Sequence, residues 1–161
     1  MVVAVRVRPL SKKEKEAQDF EILQLQDKLV IVMDKVEIEC TENDKKPDVL
    51  HRSKEQRYFF DKIFSKYSAT PEVYENTCSH LIQSVIDGYN ACVFAYGTTG
   101  SGKTFTMTGT LESPGIMVLI LQDLFKSIQA QKGDKEFSIK MSYVEIYNEV
   151  ILDLLIPNNK D

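Results

Sequence analysis

The chain is short of what several functional classes require. Only two histidines occur in its 161 residues, His51 and His80, and neither has a second ligand at metal spacing. Both read as plain surface or satisfied residues. The three cysteines, Cys40, Cys78 and Cys92, are an odd number with no C-x-x-C pair. That fits reduced thiols in a cytosolic compartment, with Cys78 and Cys92 as small core residues. No apolar run approaches the length of about 18 residues that a membrane helix needs. The start, Met1-Val2-Val3-Ala4-Val5, meets Arg6 too soon for a signal peptide, so a soluble intracellular protein is expected. Excess positive charge is also missing. A net charge of −4 argues against a generally basic surface for nucleic acid, and leaves a polyanionic partner to a local patch. There is no internal repeat, low-complexity tract or heptad pattern. What remains is ordinary globular composition, 43% apolar and 27% charged, at the length of one domain able to bury a core.

Against that plain background one stretch stands out: Gly97-Thr98-Thr99-Gly100-Ser101-Gly102-Lys103-Thr104. It matches G-x-x-x-x-G-K-[ST], in which glycines let backbone N–H groups curl around a polyphosphate. Lys103 would reach the terminal phosphates, and the Thr104 hydroxyl would take one position on Mg²⁺. Ala91-Cys92-Val93-Phe94-Ala95-Tyr96 before it is a short apolar run of the kind that forms a buried strand. Residues 103–107 after it can form a helical turn whose positive end faces the phosphates. The bland alternative is a glycine-rich turn that matches by accident.

The rest of the chain reads as a single α/β unit with a mixed sheet. Val3, Val5 and Val7 alternate with Ala4, Arg6 and Arg8, a strand stopped by Pro9, with Arg6-Val7-Arg8-Pro9 at the end where open α/β sheets bind ligands. Residues 11–19 are charged and read as a loop. Residues 20–25 and 29–33 read as two strands of a hairpin around Gln26-Asp27-Lys28. Residues 41–57 form a long polar loop, and Tyr58-Phe59-Phe60-Asp61 a brief aromatic strand. A helix is expected from Thr70, as hydroxyl N-cap before Pro71, to about Asp87, with Tyr74, Thr77, Cys78, Leu81, Ile82 and Val85 on one face. A second helix over about 116–131 would bury Met117, Ile120, Leu121, Leu124 and Ile128. Residues 137–143 alternate as a strand with a parity change at Val144, and 150–155 form a last strand before Pro157.

Five strings, taken together, resemble kinesin motor domains. They are Arg6-Val7-Arg8-Pro9, Gly88-Tyr89-Asn90, Phe94-Ala95-Tyr96-Gly97 with Gly102-Lys103-Thr104-Phe105-Thr106-Met107, Ser142-Tyr143-Val144-Glu145-Ile146-Tyr147-Asn148-Glu149, and Asp153-Leu154-Leu155. Their order and spacing agree with the family across the whole chain. The loop ending in His51-Arg52-Ser53-Lys54-Glu55 looks most like the eighth kinesin class, which includes motors that shorten microtubule ends. The resemblance implies a phosphate-loop NTPase fold, a central mixed β-sheet flanked by helices. It implies ATP with Mg²⁺ as ligands, microtubules as partner, and a place on the cytoplasmic cytoskeleton, with no nucleic acid and no membrane involved. Arg6, Arg8 and Pro9 would line the adenine pocket, with Phe105 beside the base where many kinesins carry histidine. From the residues alone, a solvated strand face is the commoner reading of Arg6 and Arg8, since exposed arginine is the usual case.

A larger departure concerns catalysis. Kinesins carry the switch strings N-x-x-S-S-R-S-H and D-x-A-G-x-E, and neither occurs in these 161 residues. The resemblance therefore implies the N-terminal half of a motor domain, residues 1–161, with no complete catalytic set and without the oligomerisation segments. Asp153 at the end of Val150-Ile151-Leu152 could be nominated as a metal-holding aspartate, but the family pattern places that string elsewhere. Two other readings stay open. One is a truncated nucleotide-binding or tubulin-interaction module without ATPase activity. The other is a small kinase, which would need an arginine-rich lid, whereas the chain holds arginine only at 6, 8, 52 and 57.

Overall fold

The computed structural model describes residues 1–33, 55–131, 133 and 136–156. The polar loop over 41–57, with Cys40 and His51, lies almost wholly outside them. The chain divides into two compact units, Met1–Ser127 and Ile128–Asp161.

In the first unit, β1 (Ala4–Arg6) is followed by a short helix, α1 (Lys12–Glu16). Next come the hairpin strands β2 (Leu23–Gln26) and β3 (Leu29–Val32), then β4 (Gln56–Phe59) and β5 (Lys62–Phe64). Helices α2 (Thr70–Thr77), α3 (Leu81–Ile86), α4 (Lys103–Met107) and α5 (Ile116–Ala130) complete it, the last running across the boundary between the units. β1 pairs in parallel with β5, Val5 opposite Ile63 and Arg6 opposite Phe64. β2, β3 and β4 form an antiparallel sheet, closed at its first turn by Asp27 in the left-handed region. The second unit holds the antiparallel pair β6 (Val144–Tyr147) and β7 (Val150–Asp153). Their two-residue turn has Asn148 and Glu149 both at positive φ, the geometry that continues strand twist through a tight hairpin.

The α/β class with both parallel and antiparallel pairing stands, but several elements differ from expectation. Residues 12–16 are a helix rather than a loop. Ser11 accepts from the Glu14 N–H while the Glu14 carboxylate accepts from the Ser11 N–H, a reciprocal cap that starts a helix in a charged stretch. The helix expected from Thr70 to Asp87 is broken into α2 and α3 over residues 78–80. Its N-cap is Ala69, not Thr70, and no side chain caps it. In α5 the buried residue is Ile116, with Leu119 and Ile120 half-buried against the core, while Met117 and Leu121 face water. Residues 91–96 and 137–143 belong to no ladder among the described residues. The first of these still alternates: Val93 packs on the core, whereas Phe94 and Tyr96 are 78% and 96% exposed. Cys78 is buried as expected, but Cys92 is exposed.

The core of this unit is Phe64, Val73, Tyr74, Cys78 and Ile116, with Val93, Leu119 and Ile120 packed against it. Each large apolar side chain so buried contributes roughly 1.5–3 kcal/mol. The Tyr74 hydroxyl leaves water by donating to Asp123 Oδ2 at 2.6 Å, which ties α2 to α5. Burial first, and then that carboxylate, push the phenol well above its ordinary pKa. Because the core grips β5, α2, α5 and Val93 together, it fixes the two ends of the stretch that carries the glycine-rich loop.

Candidate functional site

The loop over 97–104 has the backbone its glycines allow. Gly100 and Gly102 sit at φ of +80° and +97°, a region costly for any residue with a Cβ. Gly102 in that conformation is the N-cap of α4. The loop closes on itself through Ser101 N–H to the Thr98 carbonyl at 3.1 Å. Lys103 Nζ turns back over it, donating to the carbonyls of Gly97 and Thr98 at 2.9 and 2.8 Å. Those contacts hold an ammonium at the mouth of the loop. Thr104 lies exposed in the first turn of α4, with its hydroxyl on the helix end that follows the loop.

A cavity of about 220 Å³ lies beside the loop. Arg6, Arg8 and Pro9 from the end of β1 and Phe105 from α4 all line it, together with Ser101 and Gly102 of the loop. A Cβ built on Gly102 would stand 3.9 Å from Arg8 Cβ, so the loop runs close against the end of β1.

Arg6 is tied into the fold, whereas Arg8, just past β1, is exposed and ion-paired. Arg6 is half-buried, its guanidinium carbon 5.3 Å from the centre of the Phe105 ring, which suits a cation over a π face. It also donates to Thr106 Oγ1 and to the Ser68 carbonyl, both at 3.1 Å. One side chain thus clips β1, the loop before α2, and α4. Burial lowers the Arg6 pKa while Glu72 opposes that shift. Arg8 forks onto Glu14, with Nη1–Oε2 at 2.7 Å and Nη2–Oε1 at 2.5 Å. That guanidinium, and next the Ser11 N–H, hold the Glu14 carboxyl at about 2.

Sequence reasoning missed Glu14, Ser68 and Thr106 as partners of the two arginines. A signal existed for Glu14, since Ser11-x-x-Glu14 is a capping-box spacing. Ser68 and Thr106 carried none, because they meet Arg6 only through the fold. His80 lies exposed at the start of α3, and Asp153 ends β7 in the other unit with its carboxylate accepting from the Leu155 N–H. Among the described residues no group of histidine, cysteine, aspartate or glutamate could hold a metal ion, and no helix is long and apolar enough to cross a membrane.

Known proteins resemble this chain throughout its length. Kinesin-like protein KIF19 of Homo sapiens is 46% identical over 162 residues, a match covering 98% of this chain and 15% of that protein. Kinesin-like protein KIN-8A of Oryza sativa subsp. japonica is 40% identical, covering 98% of this chain and 20% of its own length. Both matches therefore take in only a small part of the relative. A solved structure of KIF14 with ADP in complex with a microtubule superposes with a TM-score of 0.70 at 31% identity, over 100% of this chain and 43% of that one. The family model for the kinesin motor domain matches residues 6–161, and the chain belongs to the kinesin family.

Proposed function

We propose that these residues are the nucleotide-binding part of a microtubule motor, in which ATP hydrolysis drives movement along microtubules or their shortening. The carrying observation is that Arg6, Arg8, Pro9 and Phe105, from two distant stretches, wall one cavity that abuts the phosphate loop. The triphosphate would lie along residues 97–104, its charge met by Lys103 and by backbone N–H groups. The base would enter the cavity, where Phe105 offers a π face and Pro9 a rigid wall.

Thr104 suits Mg²⁺ that takes most of its ligands from phosphate and water, because a single hydroxyl then suffices from the protein. When bound, that ion would neutralise charge on the terminal phosphates. Microtubules as partner follow from family membership and from the microtubule complex of the KIF14 neighbour. The local charge of the sequence over 41–57 suits such a partner, with Lys45, Lys46, Arg52, Lys54 and Arg57 against Glu42, Asp44, Asp48 and Glu55.

A second reading is a nucleotide-binding or tubulin-interaction module without ATPase activity of its own. Titration of ATP and Mg²⁺ into the full-length protein, followed by phosphate release with and without microtubules, separates the two. Binding with microtubule-stimulated turnover supports the motor. Binding without turnover supports the module, and no binding sinks both.

A further inference from the structure

One carboxylate joins the chain leaving β1 to the start of α1. Glu14 Oε2 accepts from Arg8 Nη1 and from the Ser11 N–H, both at 2.7 Å. Glu14 Oε1 takes Arg8 Nη2, and the Glu14 N–H donates to Ser11 Oγ at 3.3 Å. The Arg8 guanidinium and the Ser11 cap are therefore neighbours across Glu14. Residues 7–11 belong to neither strand nor helix, and Ser11 has an extended backbone, with φ −67° and ψ 163°. Arg8 and Ser11 are both exposed. Of the four arginines, at 6, 8, 52 and 57, only Arg8 has a hydroxyl residue three positions later. The others have Pro9, Glu55 and Phe60 there. An exposed serine on extended chain, three residues after an arginine, is the form in which many basophilic protein kinases take their substrate. The guanidinium then meets carboxylates of the kinase.

We infer that Ser11 is a phosphorylation site for a protein kinase that requires arginine three residues before the serine, and that the phosphate takes Arg8 from Glu14. Neither part depends on what the cavity binds. Ser11 Oγ attacks the γ-phosphorus of the ATP held by the kinase, and the bond from that phosphorus to the bridging oxygen breaks. ADP leaves with the electron pair, and the hydroxyl proton passes to the catalytic aspartate of the kinase. The phosphoserine carries a charge of about −1.5 to −2 at neutral pH, against the single charge of Glu14. Two anions at one cap repel, so the guanidinium goes to the phosphate and the Glu14 carboxylate turns to water. Exposure of the Arg8–Glu14 pair keeps the cost of that exchange small.

The test treats the full-length protein with ATP and calcium/calmodulin-dependent protein kinase II, which takes arginine at that place, and maps phosphate by mass spectrometry. The folded wild type should be modified at Ser11. Arg8→Gln should slow modification there at least about tenfold, the equivalent of one charge-assisted contact. Phosphorus NMR of the modified protein then reads the exchange of partners. The second ionisation of a phosphoserine lies near pH 6, and Arg8 should lower it by about half a unit or more in the folded protein. Urea should restore it. Lys12, Lys13 and Lys15 stay equally near in sequence in urea, so the difference reports the fold. No phosphate at Ser11, or an undiminished rate in Arg8→Gln, overturns the site. A phosphate that titrates alike with and without urea overturns the transfer of Arg8.

Discussion

The guanidinium carbon of Arg6 lies over the ring of Phe105, 5.3 Å from its centre, although β1 and α4 are far apart in the sequence. The same guanidinium donates through Nη1 to Thr106 and through Nη2 to the Ser68 carbonyl. A forked guanidinium can serve both partners while its carbon lies over the ring, whereas an ammonium is a single point charge. Arg6→Lys should therefore lower stability by about 1.5–3 kcal/mol, one charge-assisted hydrogen bond, and weaken nucleotide binding as the wall loosens. Urea unfolding of the full-length protein checks the first effect. An unchanged midpoint would mean that the clip adds nothing.

Lys103 is held over the loop by the carbonyls of Gly97 and Thr98, and in the proposed function it meets phosphate. A charge-assisted contact of this kind contributes about 1.5–3 kcal/mol. Lys103→Ala should weaken ATP binding at least about tenfold, the equivalent of one such contact. Calorimetry giving the wild-type affinity would remove the loop from the site.

Glu14 supplies a pH dependence with a definite sign. Its carboxyl is held at about 2, below the ordinary value of 4.5, chiefly by Arg8 and then by the Ser11 N–H. A depressed carboxylate contributes stability that is fully present above the unfolded value and is lost as pH falls through the folded one. The melting-temperature gap between wild type and Glu14→Gln should be constant above pH 5 or so, and close progressively between about pH 4.5 and pH 2. A gap that persists at the acid end would show that the ion pair is not its source.

Those two arginines also show how far the sequence could be read. The backbone of the glycine-rich loop was legible because its pattern is local, a fixed spacing of glycines before a lysine. The family strings placed Arg6, Arg8, Pro9 and Phe105 in one pocket, and they do line one cavity. What no local pattern revealed is that both guanidinium groups are engaged by protein partners. Strands were legible as alternation, but a ladder needs a partner. Residues 91–96 alternate, with Val93 inward and Phe94 outward, yet pair with nothing among the described residues. The break at residues 78–80 carries no glycine or proline, so no sequence signal marked it. Cys92 and Met117 were placed in the core by apolar character alone, and both are exposed because the covering surface depends on tertiary neighbours.

Gly115 carries a steric prediction. A Cβ there would stand 2.3 Å from the Met107 carbonyl oxygen and 2.4 Å from the Thr108 carbonyl carbon, both backbone atoms that cannot swing away. This close approach sets the spacing between the end of α4 and the start of α5, together with the Gly115 N–H bond to the Thr108 carbonyl at 3.0 Å. Gly115→Ala should cost about 1–3 kcal/mol, the range for overpacking. Since the phosphate loop runs directly into α4, nucleotide affinity should fall with it. A variant as stable as wild type would show that the 108–115 loop yields without cost.

The 161 residues produced alone should have no appreciable ATPase activity and only marginal cooperativity. Binding phosphate in the ground state is not catalysis, which needs preorganised groups around the γ-phosphate and the attacking water. The kinesin switch strings that would supply them are not in this stretch. Surface exposure points the same way. Phe94, Tyr96, Ile146, Tyr147 and Ile151 are each more than half exposed, and a second cavity of about 420 Å³ opens beside the loop between Val5, Val7, Phe20 and Ile22. Unpaired strand edges and open apolar faces favour association with other chains. The isolated stretch should therefore bind a hydrophobic dye, melt without a sharp transition, and release no phosphate with or without microtubules. Sharp melting together with microtubule-stimulated turnover would show that these residues are sufficient for both folding and catalysis, contrary to this expectation.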